Sequence, residues 1–110
     1  MNKSFIITFL IILVVIIFSI IILTRNPQEI PKDVVQCIGK NSVLYVKNGC
    51  SACITQENMF GKNYEYLNVV DCFDNIDKCA NITAIPTWII DGEKYVGLQS
   101  IDKLKEATGC

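Results

Sequence analysis

The 110-residue sequence predicts an α/β domain, a four-stranded mixed sheet flanked by helices, behind a single N-terminal membrane-spanning helix. Three observations predict it. Phe5–Leu23 carries no charge, and only Thr8 and Ser19 within it are polar. Beyond it, short β-rich runs alternate with helical segments, which is the pattern of strand–helix–strand units. Six cysteines fall in a remainder of about 75 residues, too few for a core that holds a domain together unaided.

The uncharged run is 19 residues long. As a helix it measures roughly 28 Å, close to the hydrocarbon thickness of a bilayer. A cleaved signal peptide has a shorter apolar stretch, about 7–15 residues, and a small-residue cleavage site. Here the run ends Ile20-Ile21-Ile22-Leu23-Thr24-Arg25, with no such site and no adjacent cysteine for lipid attachment. Residues 1–24 therefore read as an uncleaved anchor. Flanking charge barely orients it: Lys3 stands on one side, and Arg25 and Lys32 stand on the other with Glu29 and Asp33. The cysteine load decides instead, because many cysteines in a small domain favour an oxidising compartment. That gives a single-pass protein of the cell membrane, N-terminus inside and domain on the extracytosolic side. Residues 25–35, with Pro27 and Pro31 and no periodicity, read as a short stiff linker to a domain at 36–110.

Within the domain, Val43–Lys47 is β-rich and ends at Asn48-Gly49. Ser51–Phe60 reads as a helix stopped by Gly61. Tyr64–Asp71 reads as a second strand, hydrophobic enough to be a buried parallel neighbour of the first. Asp74–Ala80 reads as a short helix with acids in its first turn. Thr87–Ile90 and Lys94–Val96 flank Asp91-Gly92-Glu93, a hairpin signal. Ser100 caps a last helix that buries Ile101, Leu104 and Ala107 or Thr108 and stops at Gly109. This order gives a mixed sheet with helices on both faces.

Composition removes several chemistries. Ten basic residues against eleven acidic ones leave a net charge of −1 and no footprint for nucleic acid. The absence of histidine excludes Cys-His and Ser-His nucleophile pairs and imidazole metal ligation. The chemistry left is that of sulfur. Cys50-Ser51-Ala52-Cys53 stands where the first strand gives way to a helix. Unpaired N–H groups and the dipole at a helix N-terminus stabilise a thiolate, which suits Cys50 to attack. Cys53, one turn on, is placed to resolve a mixed disulfide. Ile85-Pro86-Thr87 precedes the third strand, a second feature to be explained.

Gly49-Cys50-Ser51-Ala52-Cys53, Ile85-Pro86-Thr87-Trp88 and Asp91-Gly92-Glu93-Lys94 together resemble thioredoxins and glutaredoxins. The domain is most similar to the thioredoxin-like domains fused to, or encoded beside, vitamin K epoxide reductase homologues. Gln36-Cys37, Phe60-Gly61, Val70-Asp71-Cys72, Cys79, Gly97 and Thr108-Gly109-Cys110 extend that similarity over residues 36–110. The resemblance implies a thioredoxin-like fold, with Cys50 attacking and Cys53 resolving. It implies a cis Pro86 packed against the disulfide, and an Ile85 backbone that pairs with extended substrate. The implied partners are a quinone-linked, vitamin K epoxide reductase-like membrane oxidoreductase and extracytosolic protein thiols. No cofactor or metal is implied. Two departures stand out: Gly49 replaces the usual aromatic residue before the first cysteine, and Val43-Leu44-Tyr45-Val46 lacks the acid that thioredoxins bury in that strand.

Six cysteines allow 15 connectivities, of which three remain once Cys50 and Cys53 are paired. The favoured one joins Cys72 to Cys79 and Cys37 to Cys110 as structural staples. Chain entropy makes these worth about 2.5 and about 4.5 kcal/mol. The alternatives are a relay through Cys72–Cys79, a free or intermolecular Cys110, and four thiolates from Cys50, Cys53, Cys72 and Cys79 on zinc. Asn81-Ile82-Thr83 matches a glycosylation acceptor, Trp88 suits either core or substrate groove, and Lys47 lies near the expected thiolate. The expected activity is thiol–disulfide exchange. A reductase or isomerase using the same residues is the alternative, and a static stapled module the third reading.

Overall fold

The computed structural model describes residues 2–24 and 29–110. Its first helix, α1 (Lys3–Thr24), holds an 18-residue stretch of mean hydropathy 3.6 and is long and apolar enough to cross a membrane. The hydroxyls of Thr8, Ser19 and Thr24 donate to the carbonyls of Ser4, Val15 and Ile20 at 2.8–2.9 Å. These three hydroxyls are thus satisfied on their own helix, as an apolar surround requires.

The domain opens with a helix that the sequence reading missed. α2 (Lys32–Asn41) begins inside the segment read as linker; residues 25–28 of that segment lie outside the described residues. Val35 and Ile38, three apart and so on one helix face, are fully buried in the core. Gly39 permits the close approach behind them: a Cβ there would collide with the carbonyl oxygen of Tyr66.

Four strands follow: β1 (Ser42–Val46), β2 (Val69–Asp71), β3 (Thr87–Ile90) and β4 (Glu93–Val96), in the spatial order β2-β1-β3-β4. β1 pairs in parallel with β2, Val46 opposite Asp71, and antiparallel with β3, Tyr45 opposite Thr87. β3 and β4 form the hairpin read from Asp91-Gly92, both of which take positive φ. The sheet is mixed and four-stranded, as the sequence suggested. α3 (Ser51–Phe60) connects β1 towards β2. α4 (Ile101–Thr108) closes the chain: the Ser100 hydroxyl accepts the Lys103 N–H at 3.2 Å, and Gly109 ends the helix at φ 75°.

Three local expectations differ. The second strand is only Val69–Asp71, because Gly61–Tyr66 winds into a 3₁₀ turn that packs against α2 and α3. Tyr64, Tyr66 and Leu67 are apolar to serve that packing, with Leu67 in the core. The helix expected at Asp74–Ala80 is a single 3₁₀ turn, Ile76–Cys79. The buried apolar strand side chains, Leu44, Trp88 and Ile90, share one face of the sheet by register. Val35, Ile38, Phe60 and Leu104 from the helices join them in one cluster. The opposite face, with Val43, Tyr45 and Ile89, is only partly buried, so the helices do not cover both faces equally.

Candidate functional site

β1 runs out at Val46, and Lys47-Asn48-Gly49 turns the chain, with Gly49 at φ 85° and the Cys50 N–H donating to the Lys47 carbonyl at 3.3 Å. Cys50 then occupies the N-cap of α3. Its backbone is extended and its Sγ accepts the Cys53 N–H at 3.1 Å. Cysteine here fills the role usually taken by Ser, Thr or Asp. Cys50 and Cys53 are joined in a disulfide with Cα atoms 5.2 Å apart. The two sulfurs are not equivalent: Cys50 is partly exposed, whereas Cys53 is 6% exposed.

The buried side of α3 is the i, i+3, i+7 stripe Cys53, Gln56 and Phe60. Gln56 is fully buried and fully used. Its Oε1 accepts the Trp88 indole N–H at 3.1 Å and the Gln99 backbone N–H at 2.8 Å. Its Nε2 donates to the Gln99 carbonyl at 3.0 Å. One amide therefore ties the helix bearing both cysteines to β3 and to the chain leaving β4. Trp88 is a core residue, 6.0 Å from the Phe60 ring centre, and does not line a groove. Sequence reasoning missed Gln56; its signal is an amide inside an otherwise apolar helix stripe.

Register brings the other sulfur and proline positions to the same end of the sheet. Cys72 follows β2 and its N–H donates to the Val46 carbonyl at 2.8 Å. Pro86 precedes Thr87, the partner of Tyr45, and its carbonyl accepts the Gly97 N–H at 2.7 Å. The Ile85–Pro86 peptide is cis. Pro86 is buried and Ile85 partly buried. Cys72 is bonded to Cys79 across an exposed loop. Cys37 of α2 is bonded to Cys110, beyond α4, tying the first and last helices of the domain. The four sulfurs weighed as zinc ligands are thus held in two separate disulfides.

A pocket of about 260 Å³ opens beside the buried sulfur, and Lys47, Cys53, Glu57, Tyr64 and Asp71 line it. Tyr64 has its pKa raised, first by burial and then by the negative charges of Glu57 and Asp71. Both carboxylates therefore act on the same space. No family model matches the chain. The arrangement can support attack on the partly exposed sulfur, with the buried one as internal leaving group or nucleophile.

Proposed function

We propose that this chain is a membrane-anchored thiol–disulfide oxidoreductase of thioredoxin-like fold. The single observation that carries the reading is the Cys50–Cys53 disulfide at the N-cap of a ten-residue helix, with Cys50 partly exposed and Cys53 buried. A substrate thiolate attacks Cys50 Sγ, the Cys50–Cys53 bond breaks, and Cys53 leaves with the electron pair. A second substrate thiol then attacks the substrate sulfur of the mixed disulfide and expels Cys50, whose thiolate the helix N-terminus stabilises. The substrate departs oxidised and the domain reduced.

The domain faces the extracytosolic side, with α1 as its anchor and the N-terminus inside. Its three disulfides, two of them outside the Cys50–Cys53 motif, support an oxidising compartment. Ile85 and Pro86 form the loop against which extended substrate lies. A quinone-linked membrane oxidoreductase of the vitamin K epoxide reductase type re-oxidises the Cys50–Cys53 pair, and secreted protein thiols consume it. Exposed Ile54, Phe73, Ile76, Val96 and Leu98 lie on segments leaving the cysteine end of the sheet and offer apolar surface for unfolded polypeptide.

The test uses the full chain in detergent micelles with a reduced, unfolded protein as substrate. Cys53→Ser, given instead a protein substrate that carries a disulfide, is expected to accumulate a mixed disulfide through Cys50 as one substrate sulfur leaves as its thiol, visible by mass and reversed by reductant. Cys50→Ser is expected to abolish exchange. Wild-type exchange that survives Cys50→Ser would contradict the reading.

A further inference from the structure

Thiol–disulfide exchange is a displacement in which the attacking, central and leaving sulfurs lie close to one line. Two separate parts of this chain set that line. α3 fixes where Cys53 lies relative to Cys50, and the Ile85-Pro86 loop fixes where an extended substrate approaches. Rates of aligned reactions fall steeply with small misplacements. One buried side chain joins the two parts.

Gln56 stands one turn after Cys53 on the same face of α3 and is fully buried. An apolar side chain would fill that place with no polar group to satisfy, as Phe60 does further along the helix. The amide instead grips Gln99 by both of its backbone groups. Its Oε1 accepts the Gln99 N–H at 2.8 Å, and its Nε2 donates to the Gln99 carbonyl at 3.0 Å. Such a grip is directional. It fixes the spacing and rotation of α3 against the segment after β4, which apolar packing alone leaves free to slide.

The gripped segment leads to the loop. The Gln99 side chain donates to the carbonyls of Val96 and Gly97 at 3.2 and 3.3 Å. The Gly97 N–H donates to the Pro86 carbonyl at 2.7 Å. Thr87, paired with Val96, donates its hydroxyl to the Ala84 carbonyl at 2.7 Å and so closes the loop around Ile85 and Pro86. The remaining bond to Gln56 Oε1, from the Trp88 indole, ends in the core.

We infer that Gln56 is a positioning residue: it holds the Cys50–Cys53 pair in register with the Ile85-Pro86 loop, so that an extended substrate meets Cys50 in line with Cys53. The inference rests on the exchange activity proposed above. It predicts an effect confined to substrates long enough to lie on the loop.

The test gives the full chain in micelles, reduced at Cys50 and Cys53, two disulfides with one leaving group. Both carry 2-nitro-5-thiobenzoate on a cysteine sulfur. In one the cysteine is N-acetylcysteine amide; in the other it stands in the middle of an unfolded peptide. The Cys50 thiolate attacks the cysteine sulfur, and the coloured aromatic thiolate leaves with the electron pair. Cys53 then attacks Cys50 Sγ, re-forms the Cys50–Cys53 bond and expels the cysteine as its thiolate. The reacting atoms and the Cys50 titration are common to both reactions, so the ratio of their rate constants reads the flanking peptide alone.

Wild type is expected to favour the peptide. Gln56→Met, similar in length but without the amide, is expected to lower that ratio on the order of 10-fold while the small disulfide reacts within about twofold of the wild-type rate. Trp88→Phe loses the indole bond, leaves both bonds to Gln99 and is expected to keep the ratio. Gln56→Glu keeps the shape, and its carboxyl when protonated can both donate to the Gln99 carbonyl and accept the Gln99 N–H. Burial favours that neutral form, so its ratio is expected to recover as pH falls from about 8 to about 5. A wild type that does not favour the peptide, an unchanged ratio in Gln56→Met, an equal loss in Trp88→Phe, or no recovery of Gln56→Glu with pH would overturn the inference. A wild-type chain that releases no coloured thiolate from either disulfide would bring down the exchange reading itself, and this inference with it.

Discussion

Two disulfides of this molecule differ in what they join. Cys37–Cys110 spans 73 residues and binds the first helix of the domain to its last residue. Cys50–Cys53 spans three residues and lies within the first turn of one helix. By chain entropy the long bridge is worth about 4.5 kcal/mol and the short one about 2. Opening the first releases most of the domain; opening the second frees one helix turn whose remaining ties are elsewhere. Gln56, one turn further along α3, supplies those ties through Trp88 and Gln99. The two bridges are separable because the long one closes nearly the whole domain and the short one a single helix turn.

The largest effect that would break this comparison is on the staple. Replacing Cys37 and Cys110 together by serine is expected to cost about 4 kcal/mol. Replacing Cys50 and Cys53 together should cost at most about half of that. Urea melts of the full chain in micelles, followed by Trp88 fluorescence, compare the two; equal losses would erase the distinction. Gly39→Ala strikes the staple side by another route, since its methyl meets the Tyr66 backbone. An overpacking cost of about 2–3 kcal/mol is expected in the same melts.

Gln56→Leu acts on the side of the short bridge. It strands the Trp88 and Gln99 N–H groups in the core and is expected to cost about 2 kcal/mol. It should also loosen the start of α3, read as faster deuterium exchange over residues 51–56 than over α2. Uniform change in both helices would argue that the clamp is not local.

The smallest effect is on Tyr64. Its raised pKa means that the folded state holds the phenol proton more tightly than the unfolded chain does. The associated stability is fully present below about pH 10 and is lost as pH rises through the folded value. Ultraviolet titration of the phenolate should give a Tyr64 midpoint above 10, and Glu57→Gln should bring it down. An unmoved midpoint would mean that the Glu57 charge does not reach the pocket.

Much of this architecture is legible in the sequence, for reasons that are local. α3, the Asp91-Gly92 hairpin and the Ser100 to Gly109 helix each carry their own start and stop chemistry, and α1 shows as an unbroken apolar run. α2 was hidden because it follows Pro31 with no side-chain cap, so a core helix looked like a linker. Tyr64–Leu67 misled because aromatic residues that pack a 3₁₀ turn onto a helix have the composition of a strand. The cysteine motif was visible at once. Gln56, Glu57 and Asp71 were not, because their meaning lies in what β3, β4 and the pocket bring to them.

The central claim is that Cys50–Cys53 is the bond that works, while the other two hold the fold. Its most direct test is stepwise reduction of the full chain in poised thiol buffers, with alkylation and mapping of each freed cysteine by mass. The account predicts that Cys50 and Cys53 open together first, at a potential between about −120 and −270 mV, while Cys37–Cys110 and Cys72–Cys79 stay closed. Opening of either other pair first, or of all three in one transition, would contradict it.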